Sequence, residues 1–413
     1  MDNNYRIGFV GYGHRGIGLL NNYIKMDDVD IVAVCDKLPE RQQTAAEAVK
    51  AQKGYLPICT DNYQDLLNMK IDALIVATSW ADHVNIAIDA MNAGIPVGIE
   101  VGGAYSVEEC WDLVRTHEST KTPIMMLTNT RYDRRDMAVV NMAKQGLFGR
   151  VAHCDGGYCH DLRVSMVDMH ENHHYRLTNY MMRNSDNYPC HAMAVLSMIL
   201  DINRGNKLLS LSSVASPAWG INDYVKNHFG EDHKFAHYPF AQSDIVTTTI
   251  RCARGETITL RLDTSLPRSY SRRLEVHGTK GMFMEDGNIV YLEDEHSQMR
   301  DKPRELYNNA DAYVEKYAHR IWKDCAQDTG VGMSGGHGGT DYLVNRAFLE
   351  SVRNGLPMPT DIYDTAILLA LTPLSEMSIA NGGAFVDVPD FTKGRYLTRK
   401  PITPEENPWS PYM

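Results

Sequence analysis

The sequence predicts an α/β Rossmann domain with a doubly wound parallel sheet, followed by an α+β domain with a mainly antiparallel sheet. Three observations carry that expectation. Short β-branched runs alternate with helical stretches from Tyr5 to about Gln145, and such alternation makes a parallel sheet covered on both faces. A glycine-rich turn stands directly after the first apolar run. After Gly149 the rhythm changes to consecutive strand-like runs with short connections, the pattern of an antiparallel sheet. A cofactor domain is therefore expected over 1–149, and a substrate and oligomerisation domain over 150–413.

In chain order, Ile7–Val10, Ile31–Cys35, Ala73–Ala77, Val97–Glu100 and Ile124–Leu127 are the strands of the first domain, apolar enough to be buried on both faces. Helical periodicity fills the gaps, as in Val84–Ala93 and Val107–His117. The second domain opens on an extended Arg150–Tyr158, then a polar segment rich in His and Tyr up to Pro189, then an apolar helix from His191 to Leu200. Strands follow at Leu208–Val214, Ile245–Cys252, Thr257–Asp263, Arg273–His277 and Ile289–Leu292, with turn signals such as Asp286-Gly287-Asn288. Helices return at Ala310–Ala326, Gly339–Asn354 and Tyr363–Ala380, to pack on one sheet face. The proline-rich tail from Lys400 reads as extended.

The 413 residues carry 41 basic and 52 acidic side chains, a net charge of −11 that argues against a nucleic-acid surface. No apolar run approaches the roughly 20 residues of a membrane-spanning helix, so no membrane partner is expected. No leader pattern opens the chain, and eight cysteines without a CxxC pair read as reduced thiols of a cytoplasmic protein. Twenty-two Tyr and sixteen His against nine Phe form a less usual balance. Much of the aromatic surface thus carries hydroxyl or imidazole groups.

Gly11-Tyr12-Gly13-His14-Arg15-Gly16 follows the first strand and opens the first helix. Glycines there allow a tight turn, and the helix N-terminus offers N–H groups to a pyrophosphate. Asp36 ends the second strand, where a carboxylate accepts hydrogen bonds from ribose hydroxyls. An ordinary glycine turn with a solvated Asp is the alternative, but strand, turn, helix and acid in register point to a dinucleotide. The carboxylate repels a 2′-phosphate and favours NAD over NADP, while Arg15 and Lys37 pull the other way. Trp80 and His83 follow the Ala73–Ala77 run, at the sheet edge where ligands bind.

Asp72-Ala-Leu-Ile-Val-Ala-Thr-Ser-Trp-Ala-Asp-His83 and Ala93-Gly-Ile-Pro-Val-Gly-Ile-Glu100 resemble the glucose-fructose oxidoreductase, inositol dehydrogenase and rhizopine catabolism superfamily. Many dehydrogenases of that superfamily carry Glu-Lys-Pro where this chain has Glu100-Val101-Gly102, so the lysine that assists proton transfer there is missing. Six further segments resemble glycoside hydrolase family 109, the NAD-dependent glycosidases typified by α-N-acetylgalactosaminidase. They are Gly156–Arg163, Tyr188-Pro-Cys-His191, Asp201–Gly205, Asp263–Arg272, Gly336-His-Gly-Gly-Thr-Asp341 and Pro389–Arg395. The family usually reads Tyr-Pro-Thr-His followed by Gly-Leu-Gly-Pro; here Cys190 replaces the Thr and Ala192-Met193-Ala194-Val195 follows.

Beside Gly11, Gly13 and Gly16 of the turn, the resemblance, carried over residue by residue, puts His14, Arg15, Asp36, Trp80, His83, Glu100, Val101 and Asn129 around NAD. It puts Tyr158, Arg176, Tyr188, His191 and Tyr270 around the sugar, with His160, Arg163 and His337 as further substrate contacts. The route it implies is redox-neutral: transient oxidation at C3, loss of the C2 proton, elimination at C1, addition of water and re-reduction. Either anomer is a possible substrate for such a route. It needs proton carriers without permanent charge, which Tyr and His supply. Tyr158 is the expected C2 base, its phenol acidified by Arg163 or His160; His191 beside Tyr188 is expected to handle the C3-hydroxyl proton.

Taken alone, Tyr158 reads more readily as a strand aromatic packed on the sheet and Tyr188-Pro189 as a turn; the family match is what favours a functional role. His337 either orients a catalytic group or caps the next helix, and Asp341 is similarly undecided. The stretch His170-Glu-Asn-His-His174 has histidines but not the HExxH spacing, so no metal is expected. A sugar or cyclitol dehydrogenase of the same superfamily is the alternative enzyme, and an NAD-binding sensor the non-enzymatic one. By analogy with the superfamily, a homo-oligomer, dimer or tetramer, is expected.

Overall fold

The computed structural model describes residues 4–169, 174–297, 306–325 and 336–412. Its first sheet is built from β1 (Tyr5–Val10), β2 (Val29–Cys35), β3 (Ile58–Thr60), β4 (Ala73–Val76), β5 (Val97–Ile99) and β6 (Ile124–Met126), in the order β3-β2-β1-β4-β5-β6. Every pairing is parallel. Strand β4 is buried along its whole length because helices cover both sheet faces. Strand β3 escaped the sequence reading because its apolar signal is short and lies at the edge, where Ile58 is exposed. The helix after β4 begins earlier than its periodicity suggested, at Trp80, and runs to Asn92. Helix Val107–Thr120 opens on a capping box of Ser106 and Glu109, which satisfies two otherwise unpaired N–H groups.

The second sheet contains β7 (Val151–Cys159), β8 (Leu208–Ala215), β9 (Ile245–Cys252), β10 (Thr257–Asp263), β11 (Glu275–Gly278), β12 (Gly281–Met284), β13 (Ile289–Leu292) and β14 (Val386–Asp387). Their order is β13-β12-β11-β7-β10-β9-β8-β14, and all pairings except β7 with β10 are antiparallel. Burial alternates residue by residue along β9 and β10, as in a sheet with one covered face. The covering helix Cys190–Ile199 is apolar and buried nearly all round. Strand β12 was not expected because Gly-Met-Phe-Met lacks β-branched residues.

The polar segment before Pro189 contains two helices, Arg163–Asp168 and Tyr175–Met182. Met166, Leu177 and Tyr180 anchor them in a small core with Ile221, Tyr224, Phe235 and Phe240. The expected helix Ala310–Ala326 divides into Ala310–Lys316 and Arg320–Cys325, and residue 326 lies outside the described residues. Residues 170–173 of the His-rich stretch also lie outside them.

The chain does not divide at one point near Gly149. One compact unit comprises Met1–Asp133, His319–Ile367 and Ile402–Met413; the other comprises Arg134–Ala318 and Leu368–Pro401. The late segments return to the first unit through side chains that periodicity does not reveal. Arg131 donates to Asp364 at 3.0 Å with both side chains buried, and Tyr132 donates its hydroxyl proton to the Trp409 carbonyl at 2.8 Å. Among the described residues, no helix is long and apolar enough to cross a membrane.

Candidate active site

In the first unit, the residues expected around NAD follow the carboxyl ends of parallel strands. Gly11 succeeds β1, Asp36 β2, Trp80 and His83 β4, Glu100 and Val101 β5, and Asn129 β6. The order of the sheet reverses between β1 and β4, the position where such sheets leave a ligand crevice. Gly11 has φ +95°, and a Cβ built there would lie 2.6 Å from the Ala77 carbonyl oxygen. At Gly16 a Cβ would lie 2.0 Å from the Gly11 carbonyl oxygen. Only glycine lets the helix His14–Tyr23 start so close to β1, with Gly13 at its N-cap.

Asp36 holds this turn through hydrogen bonds accepted from the N–H groups of Tyr12 at 2.7 Å and Leu38 at 3.0 Å. Trp80 is buried against Gly102, where a Cβ would come within 2.5 Å of the indole. His83 is 1% exposed, and burial pushes its pKa down to about 4. Its Nε2 lies 3.1 Å from the Thr78 carbonyl oxygen, while Nδ1 has no hydrogen-bond partner among the described residues. A neutral imidazole donating from Nε2 leaves Nδ1 as a buried acceptor. That orphaned atom and the glycine cradle fit a dinucleotide with amide and hydroxyl donors.

Arg15 does not extend freely toward a phosphate. Its Nε donates to Glu100 at 2.8 Å, and its two terminal nitrogens donate to Asp341 at 2.7 and 2.9 Å. Glu100 also accepts the Val101 N–H at 2.8 Å, and Asp341 accepts from Asn129 at 2.8 Å. Burial raises the Glu100 pKa against the opposing pull of Arg15. Burial also works to raise Asp341, but the bonds from Arg15 and His337 overcome it and hold that carboxyl below the usual range. His337, expected beside the sugar, belongs to this network in the first unit, with Nδ1 2.9 Å from Asp341. Asp341, undecided in the sequence, is its hub.

In the second unit a different constellation forms around Tyr158, near the end of β7. Its ring centroid lies 4.4 Å from Tyr188, 5.6 Å from His191 and 6.4 Å from Tyr270, and Tyr188 lies 4.8 Å from His191. Gly156 makes this convergence possible: a Cβ there would come 2.8 Å from that of Ala192, so β7 and the helix bearing His191 approach closely. Tyr188 and Arg176 are each 8% exposed, and the Arg176 guanidinium carbon lies 5.1 Å from the Tyr188 ring centroid, a cation–π contact. Burial opposes the Arg176 charge, but the phenols of Tyr175, Tyr158, Tyr180 and Tyr188 favour it and its pKa lies above the ordinary value.

His160 Nδ1 stands 3.4 Å from the Tyr158 hydroxyl. Burial and then Arg176 lower its pKa, which keeps the imidazole neutral near pH 7. Arg163, expected with His160 as a neighbour of Tyr158, lies over the Tyr224 ring, 5.4 Å from its centroid. Its guanidinium is clamped to Asp161 at 2.7 and 2.9 Å, two residues away, and Arg176 faces the phenols instead. Tyr270 is 53% exposed beside a cleft of about 500 Å³ lined by Arg135, Arg268 and Glu285 among others. Cys190 is fully buried.

Asp186 has a place here that the sequence reading missed. Burial pushes its carboxyl up to about 7, against hydrogen bonds from the Tyr188 N–H and Thr248. It braces the backbone that carries Tyr188. An Asp within Asn184-Ser-Asp-Asn187 looks like ordinary loop composition, so no local signal marks it.

These two sites meet known families in the matching parts of the chain. Residues 5–128 match the oxidoreductase family with NAD-binding Rossmann fold, and residues 132–398 match the glycosyl hydrolase 109 C-terminal domain. An NAD-binding Rossmann domain followed by that domain defines an NAD-dependent glycosidase. The chain belongs to glycosyl hydrolase family 109.

It is 37% identical to an alpha-N-acetylgalactosaminidase of Tannerella forsythia, over 97% of this chain and 89% of that protein. It is 38% identical to a glycosyl hydrolase family 109 protein of Stenotrophomonas maltophilia, over 96% of this chain and 91% of that protein. In fold it is similar to the WlbA dehydrogenase of Bordetella pertussis, solved with NADH and UDP-GlcNAcA. The TM-score is 0.65 at 16% identity, covering 94% of this chain and 99% of that one.

Proposed function

We propose that the enzyme cleaves small glycosides, N-acetylgalactosaminides among them, with Tyr158 as the base at sugar C2. The grouping of Tyr158, Tyr188 and His191 beside Arg176 carries this reading. These are phenols and an imidazole, whereas direct glycoside hydrolysis uses two carboxylates flanking the bond. When bound, NAD supplies reversible oxidation of a sugar carbon, so that the ring passes through a ketone with no net redox change.

A ketone next to C2 makes that C–H acidic enough for a phenolate to deprotonate, once Tyr158 has passed its own proton to His160. The Arg176 charge stabilises the negative charge that Tyr158 carries as it gives up its own proton, and neutral His160 offers Nδ1 as the acceptor. His191, with Tyr188 against it, takes and returns the proton of the C3 hydroxyl. Tyr270 closes the sugar side. In the first unit Gly11, Gly13, Gly16 and the helix N-terminus hold the pyrophosphate, Asp36 the ribose, and Trp80 and His83 line the remaining crevice. Arg15, Glu100, Val101 and Asn129 fix its floor, and His14 stands exposed at the helix start.

Aryl glycosides of both anomers, assayed with NAD added and withheld, test the reading. Phenol release that requires NAD, without net growth of NADH absorbance and with solvent deuterium entering at C2, is expected. Stoichiometric NADH from a free sugar without glycoside cleavage would instead establish a sugar or cyclitol dehydrogenase. The reading places the enzyme in the cytoplasm as a homo-oligomer, checked by cell fractionation and light scattering.

A further inference from the structure

We propose that strands β7 and β11 carry a binding site for a zinc-class divalent metal ion, formed by His153, Asp155, Glu275 and His277. Side chains two residues apart on a strand share a face, so His153 and Asp155 project together from β7 and Glu275 and His277 from β11. The antiparallel register sets Glu275 opposite Asp155 and His277 opposite His153. All four are half-buried. Two carboxylates directly opposite one another repel, and a cation between them removes that cost.

The donor atoms are already gathered. Asp155, Glu275 and His277 each offer one ligand atom, and these three lie within 4.8 Å of one another. His277 Nε2 is 3.2 Å from a Glu275 oxygen and 3.7 Å from Asp155 Oδ2, while His153 Nε2 is 3.1 Å from the same Asp155 oxygen. Tetrahedral zinc with bonds of about 2.0–2.2 Å puts neighbouring ligands about 3.3 Å apart. Small side-chain rotations therefore close the set around an ion.

A second observation points the same way. His153 Nδ1 lies 2.7 Å from the Thr257 hydroxyl oxygen on β10. Without an ion, Nε2–H donates to Asp155 and Nδ1 accepts from the Thr257 hydroxyl; the hydroxyl also accepts, so it holds the other tautomer, in which Nδ1–H donates to it and Nε2 is free to bind a metal. Metal-bound histidines are commonly fixed by such an outer hydrogen bond. Two imidazoles and two carboxylates suit zinc, with copper and nickel as competitors. Tyr158 has the opposite parity on β7, so the metal site and the proposed sugar base lie on opposite faces of the strand. Its ligands stand about 120 residues apart, which is why no sequence spacing announced it.

The test uses the full chain, stripped with chelator and titrated with zinc by calorimetry, and with cobalt(II) for its visible spectrum. One zinc per chain is expected, with the intense visible bands of tetrahedral cobalt. His277→Ala and Asp155→Asn should each weaken binding at least tenfold, and Thr257→Val, which keeps every ligand, about tenfold. NAD-dependent glycosidase activity should stay unchanged in all three, which also reports that they fold. No binding to the unaltered chain, or binding that the ligand variants leave intact, would overturn the proposal.

Discussion

Around Gly11–Gly16 the groups offered to a ligand are backbone N–H groups and the gaps left by absent side chains, whereas around Tyr158 they are rings and a guanidinium. The first region is fixed by sterics: a Cβ at Gly16 has its nearest neighbour at 2.0 Å. The second is fixed by convergence, since Tyr158, Arg176, Tyr188 and His191 come from separate elements and meet only after packing. A backbone site suits a cofactor shared by many enzymes, while a side-chain site supplies protons and can diverge with the substrate. The difference teaches that binding and chemistry in this chain should fail separately.

Tyr158→Phe is the sharpest way to separate them. Losing a general base costs about 10²–10⁴-fold, so kcat should fall by that order while NAD affinity measured by fluorescence is unchanged. A parallel loss of NAD affinity would break the distinction between the regions. Asp341→Ala should act only in the first unit, leaving Arg15 and Asn129 without a shared acceptor. Arg15 is partly exposed and keeps Glu100 as a partner, so the cost is that of hydrogen bonds left unmade, about 1–3 kcal/mol; urea unfolding reads it, and a change under about 0.5 kcal/mol would reject the network as structural.

Asp36→Ala should weaken NAD binding at least about tenfold, the worth of one charge-assisted hydrogen bond, with kcat at saturating NAD preserved. A last effect concerns pH. The Asp186 carboxyl sits at about 7 in the folded protein against an ordinary 3.8. Its protonated form therefore stabilises the fold fully below about pH 4, and that contribution is lost as pH rises through 7. Asp186→Asn should flatten the fall in urea stability between about pH 4 and pH 7; an unchanged slope would show that Asp186 is not the group responsible.

Legibility followed locality. The dinucleotide turn could be read because Gly11, Gly13, Gly16 and Asp36 are held together by one strand-turn-helix unit and its next strand. Tyr158, Tyr188 and His191 were named from family resemblance, but nothing in their spacing states that their rings meet. Of the two neighbours expected to acidify Tyr158, His160 stands beside its hydroxyl, while Arg163 is paired with Asp161 two residues away. Arg176, on a helix held by Leu177 and Tyr180, reaches the Tyr188 ring through packing alone. Strands β3, β12 and β14 are too short or too weakly β-branched to stand out. His337 and Asp341 are joined to Arg15 from more than 300 positions away, a relation no periodicity encodes.

That distant joining has a consequence for how the protein is made. A ribosome releases the Rossmann strands first, yet Arg15 must wait for Asp341, Arg131 for Asp364 and Tyr132 for Trp409. Domains commonly fold in order of synthesis, but here the second unit has all its parts by Pro401 and the first only when Ile402–Met413 emerges. Of the two units, the one that holds the Rossmann strands is completed last, and a chain shortened before Ile402 leaves it incomplete while the second unit has all its segments.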